Sequence, residues 1–90
     1  MKDKFDIELN NGDYIIYPSM NYTEIIIGKI FKICPKLFKF RYISKSWNGK
    51  IYEIVLKERI ANFPTQSIII NNIIPEIYKE ILNDERRIKI

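Results

Sequence analysis

The residues best suited to chemistry lie between Ile25 and Tyr52. Seven of them are basic, Lys29, Lys32, Lys36, Lys39, Arg41, Lys45 and Lys50, and the stretch holds no carboxylate. Phe31, Phe38, Phe40, Tyr42, Trp47 and Tyr52 are threaded among the cations. Cations beside flat side chains suit a phosphate-rich ligand. The cations neutralise phosphates and release counterions, and aromatic faces stack on bases. The candidate nucleic-acid contacts are Lys29, Lys36, Lys39, Arg41, Lys45, Trp47 and Lys50. A blander account stands beside this one. Lysines keep an isoleucine-rich surface soluble and guard sheet edges. A face kept only for solubility usually mixes signs, and this stretch does not.

Other chemistries find less support. Tyr17, Tyr22 and Trp47 fall at strand ends and turns, where side chains can reach a ligand. With Glu24 nearby, such aromatics could cage a methylated ammonium. The chain has no histidine, the commonest general base and metal ligand, and one cysteine, Cys34. The usual zinc frameworks are therefore out of reach. Three glycines supply no phosphate loop. Asp6, Glu8, Asp13, Glu24, Glu53 and Glu58 sit where strands point outward, so a solvated face accounts for them. The expectation is a protein without catalysis, metal or cofactor.

These residues need a scaffold, and ninety residues supply one domain. The net charge of +4 is uneven: residues 1–24 sum to −3, 25–52 to +7, and the remainder to zero. A lone cysteine favours a reducing, intracellular, cytoplasmic setting. No apolar run is long enough to span a membrane.

Lys4 to Leu9 alternates like a half-buried strand, with Phe5, Ile7 and Leu9 on one side. Asn10 to Asp13 reads as a turn, and Tyr14 to Tyr17 as a strand ended by Pro18. Glu24 to Ile33 is a long isoleucine-rich strand in which Gly28 suggests a bulge or bend. Lys29 and Lys32 then fall on opposite faces unless that bend re-aims one of them. Leu37 to Ser44 alternates Phe38, Phe40 and Tyr42 inward with Lys39 and Arg41 outward. Asn48-Gly49 is a strong hairpin signal, and Ile51 to Arg59 returns as the partner strand with Ile54 and Leu56 inward. Ser67 to Ile70 is a last short strand. Ile74, Ile77, Tyr78, Ile81, Leu82 and Ile88 then follow helical spacing.

Three pieces resemble small SH3-like barrels of the Tudor, chromo and KOW kind. Asn11-Gly12-Asp13-Tyr14-Ile15-Ile16-Tyr17 is similar to their opening strand. Ile27-Gly28-Lys29-Ile30-Phe31-Lys32-Ile33 is similar to the second, and the hairpin around Asn48-Gly49 sits where they have the third and fourth. The resemblance spans about residues 5–70 and implies binding of nucleic acid, methylated side chains or protein partners. The expected fold is thus mainly β: a small SH3-like barrel of five or six strands over about residues 4–70, with a C-terminal α-helix over about 75–88. The expected function is nucleic-acid binding, DNA or RNA, through the basic, aromatic-containing hairpin. The alternative is a protein-interaction module, as complex subunit, inhibitor or homodimer, acting through apolar surface and the terminal helix.

Overall fold

The computed structural model describes residues 1–21 and 23–88. Tyr14–Pro18 (β1), Ile25–Ile33 (β2), Phe38–Trp47 (β3) and Tyr52–Ala61 (β4) form an antiparallel meander. A 3₁₀ turn, Pro64–Gln66, leads to the two-residue strand Ile68–Ile69 (β5), which returns to pair with β1. The result is one five-stranded sheet in the order β4-β3-β2-β1-β5. Among the described residues, β4 and β5 do not pair with each other. The sheet is therefore not closed into a barrel, contrary to the closed form expected for an isoleucine-rich sheet. The chain is compact, with a radius of gyration of 13.0 Å against roughly 12 Å for a globular chain of this length.

Both faces of the sheet carry a buried apolar cluster. Alternation sends Ile15, Tyr17, Ile30, Phe38, Phe40 and Ala61 to one face, where Leu9 joins them in a buried cluster. The other face carries Tyr14, Ile16, Ile27, Ile43 and Leu56, packed with Ile70, Ile74, Ile81 and Leu82. The first face is roofed by the N-terminal segment and the second by the helix Glu76–Leu82 (α1), which packs on β2 and β3. Phe38 and Phe40 are fully buried on the first face, as expected; Leu56 is fully buried too, but on the opposite face, because the register sets it against Ile43. Ile54, expected inward, is 41% exposed because it lies beyond the reach of the helix.

Residues 4–9 do not form a strand. Asp3 is the reason: its buried carboxylate accepts backbone N–H groups from Phe5 and Ile7 (both 2.9 Å) and from Ile69 (3.1 Å). An aspartate that binds its own following backbone favours a turn over a ladder. Asp6 takes a left-handed φ of 64°, and Phe5 and Ile7 are left exposed while Leu9 alone is buried.

The terminal helix is also shorter than its periodicity suggests. Asn83 ends it by donating its side-chain N–H to the Lys79 carbonyl (2.8 Å). Asp84 then accepts from the Arg86 N–H and starts a 3₁₀ turn, Glu85–Arg87. Ile88, nominally on the helical stripe, instead makes a parallel bridge to Leu56 on the outer edge of β4. No helix among the described residues is long and apolar enough to cross a membrane.

Gly28 is not the bulge. A Cβ there would lie 2.7 Å from both the Arg41 carbonyl oxygen and Phe40 Cδ2, so the position demands glycine for close approach. The register shift comes later, between Ile30 and Lys32.

Candidate nucleic-acid interface

That late bulge sets where the charges go. Before it, Lys29 stands opposite Arg41; after it, Lys32 stands opposite Lys39. Residues directly opposite on antiparallel strands share a face. Arg41 and Lys39 are two residues apart on β3 and so share theirs. All four cations therefore emerge on the face that carries the helix. An unbulged β2 would send Lys32 to the far side, as expected from the sequence. Phe31, the extra residue, lies against the Arg41 guanidinium at 4.7 Å from ring centroid to Cζ.

The four cations are held differently. Arg41 Nε donates to Glu58 Oε1 at 3.2 Å, and its side chain is about two-thirds buried. Lys29 Nζ donates to Asn83 Oδ1 at 2.6 Å and lies over the Tyr14 ring, which Lys79 also approaches. Among the described residues, Lys32 and Lys39 have no ion pair, and the same holds for Lys36, Lys45 and Lys50. Lys36 sits in the tight turn between β2 and β3, closed by the Cys34 N–H to the Leu37 carbonyl (2.9 Å). Lys32, Lys36, Lys39 and Arg41 thus form one basic end, with Lys29 at its inner margin.

The other sequence candidates gather at the opposite end of β3. Lys45 and Trp47 share the face of Lys39 and Arg41 by alternation. Trp47 pairs with Tyr52 across the last rung, ring centroids 5.0 Å apart, and both rings are more than half exposed. The turn between them is shaped by Asn48, whose side-chain oxygen accepts from the Lys50 and Ile51 N–H groups, and by Gly49 at φ 96°. Lys39 and Trp47 are eight residues apart, or roughly 26 Å along an extended strand. The seven sequence candidates therefore do not make one patch. They make a basic end and an aromatic tip, with Ile43 between them beneath the helix.

Arg86 and Arg87 approach the aromatic tip from the C-terminal segment, lining a cleft with Ile51, Tyr52 and Ile54. Arg87 donates to the Ile54 carbonyl at 3.1 Å. Asp84 holds both arginines, at 2.9 Å to Arg86 Nε and 3.3 Å to Arg87 Nε. The Arg86 guanidinium beside Asp84 keeps its carboxyl below the ordinary aspartate range.

Tyr17 is not a ligand contact. It is buried, with its ring against Phe38 and Phe40 and the Arg59 guanidinium above it. Tyr22 lies outside the described residues. Buried as it is, Tyr17 is not open to a methylated ammonium, as a cage with Tyr22, Trp47 and Glu24 would need. Among the described residues, no three histidine, cysteine or carboxylate side chains gather where a metal ion could sit. Lys32 and Arg86 join the basic end and the aromatic tip, and neither was among the contacts expected from the sequence. Lys32 owes its place to the bulge, and Arg86 to the chain reversal at Asn83; neither has a local signature. Comparison of the chain with family models, with curated proteins and with solved structures found no match.

Proposed function

We propose that the protein binds nucleic acid, without catalysis, through the helix-bearing face at the β2–β3 end of the sheet. One observation carries this reading: Lys29 against Arg41 and Lys32 against Lys39 are consecutive cross-strand pairs of like charge. Like charges directly opposite one another destabilise a sheet. Among the described residues, only Glu58, paired with Arg41, offsets them from within the sheet. A phosphate backbone laid across these side chains turns that repulsion into attraction. Lys36 in the adjoining turn extends the surface.

Titration of labelled oligonucleotides against salt tests the reading. Four phosphate contacts give a log–log slope of about −3 to −4, from roughly −0.9 per contact on duplex and −0.7 on single strands. Lys32→Glu combined with Lys39→Glu removes two unpaired cations and should abolish binding at moderate salt with the fold intact. Unchanged affinity in that variant sinks the proposal. Arg41 is unsuitable for this test, because a carboxylate there would face Glu58 and lose its contact with Phe31.

The fold is proposed to be an opened relative of the SH3-like barrel. A four-strand meander whose fifth strand returns to the first supports it, with the absence of β4–β5 pairing among the described residues as the departure. The lone Cys34 supports a reducing compartment. A second functional reading, docking on a protein partner, is favoured by Ile73 and Ile77, which are 78% and 58% exposed beside and on the helix. Salt separates the two: apolar docking is nearly insensitive to it, and phosphate contact is not.

A further inference from the structure

We infer that the preferred ligand is a single strand whose bases stack at the hairpin tip, an inference that rests on the nucleic-acid reading above. Two observations carry it. First, Trp47 and Tyr52 form an exposed aromatic pair, 57% and 67% accessible, at the end of the face that also bears the cation pairs. Lys45 stands on that face, Lys50 lies in the adjoining turn, and the Arg86 side chain is 91% exposed nearby. Flat rings flanked by cations fit unpaired bases and their phosphates. A duplex keeps its bases stacked inside and offers such rings nothing comparable.

Second, a ridge separates the tip from the basic end. Leu82, Asn83 and Glu85 border the cleft that holds Lys29 and Arg41. The chain then runs through the Glu85–Arg87 turn to Ile88, which bridges Leu56 on β4. The helix and this turn stand over Ile43 and Leu56, in the middle of the face. The basic end and the tip are roughly 26 Å apart along β3. Duplex DNA has a persistence length of about 500 Å, so over this distance it is a rod and cannot lie on both sides of a ridge. A single strand bends around it, with Arg86 on its path.

Trp47 is the chain's only tryptophan, so its emission reports the tip directly. The experiment titrates the full chain with twelve-nucleotide oligothymidylate, with oligouridylate of equal length and with a twelve-base-pair duplex. Anisotropy of the labelled oligonucleotide gives affinity, and tryptophan emission gives stacking. The expected result is tighter binding of both single strands than of the duplex, with emission quenched only by the single strands. Trp47→Ala should lose about tenfold in single-strand affinity and little for duplex, and Trp47→Phe should retain most of it. Both substitutions lie at an exposed tip, and a thermal melt verifies their folding. Equal affinity for duplex with unchanged emission overturns the inference and leaves the basic-end reading standing. Failure of the Lys32→Glu, Lys39→Glu variant to weaken any of the three ligands overturns that reading instead.

Discussion

Lys32 of β2 stands directly opposite Lys39 of β3, immediately past the bulge that follows Ile30. Neither ammonium has an ion pair among the described residues. The fold keeps two unneutralised positive charges face to face where one carboxylate would relieve them. If the proposed binding holds, stability and binding are opposed at this rung.

Lys39→Glu should stabilise the free protein by roughly 0.2–1 kcal/mol, because a like-charge pair becomes an opposite-charge one. Urea unfolding at low salt measures the gain, which should shrink as salt screens the exposed pair. The same variant should bind oligonucleotides more weakly. A loss of stability would show that the two ammonium groups do not repel across the strands.

Gly28→Ala should destabilise by roughly 1–3 kcal/mol, the usual penalty for forcing atoms into a packed region. The new methyl would meet the Arg41 carbonyl oxygen and the Phe40 ring, both at 2.7 Å, and push β2 from β3. A thermal melt reads the stability. Heteronuclear NMR shifts at Lys29 and Arg41 should move with it, since the cation pairs depend on this approach.

Asp3→Ala should cost about 2 kcal/mol, since three part-buried backbone N–H groups lose a charged acceptor. Asp3→Asn should cost less, because one amide oxygen can still serve Phe5 and Ile7 while its NH₂ faces the Ile69 N–H. Urea midpoints for the three proteins should fall in the order Asp, Asn, Ala. Equal midpoints for Asn and Ala would mean that the Phe5 and Ile7 contacts add nothing.

Acid should release the C-terminal turn. The Asp84 carboxyl is held below the ordinary aspartate range by its hydrogen bond to Arg86, so the folded form binds its proton less readily than the unfolded form. The contribution is present above the ordinary aspartate pKa of about 3.9 and is lost as pH falls through the lower folded value. NMR shifts of the Arg86 and Arg87 amides should follow this titration, and Asp84→Asn should remove it. An unaltered profile in that variant would place the transition elsewhere.

Much of this organisation is local and can be read along the chain. The meander follows from alternating Phe38, Phe40 and Tyr42, from Pro18 and Pro35 as breaks, and from Asn48-Gly49 as a hairpin turn. Where the pattern misled, a single side chain had recruited the backbone. Asp3 turned residues 4–9 away from a strand, and Asn83 with Asp84 broke a helical stripe that still looked continuous. Tyr17 could not be told from a ligand contact because strand ends are buried or open according to what arrives from elsewhere, here Arg59 and the Phe38 and Phe40 rings.

Composition and order alone determined a mainly β domain carrying its positive charge in the middle third. Only the tertiary structure decided how that charge is shared. A one-residue bulge brought Lys32 to the face of Lys39, Glu58 and Asn83 engaged Arg41 and Lys29, and the terminal helix divided the basic end from Trp47. The physical reason is range. Alternation and turn preference act between neighbours in sequence, whereas register and coverage of a face depend on segments tens of residues away.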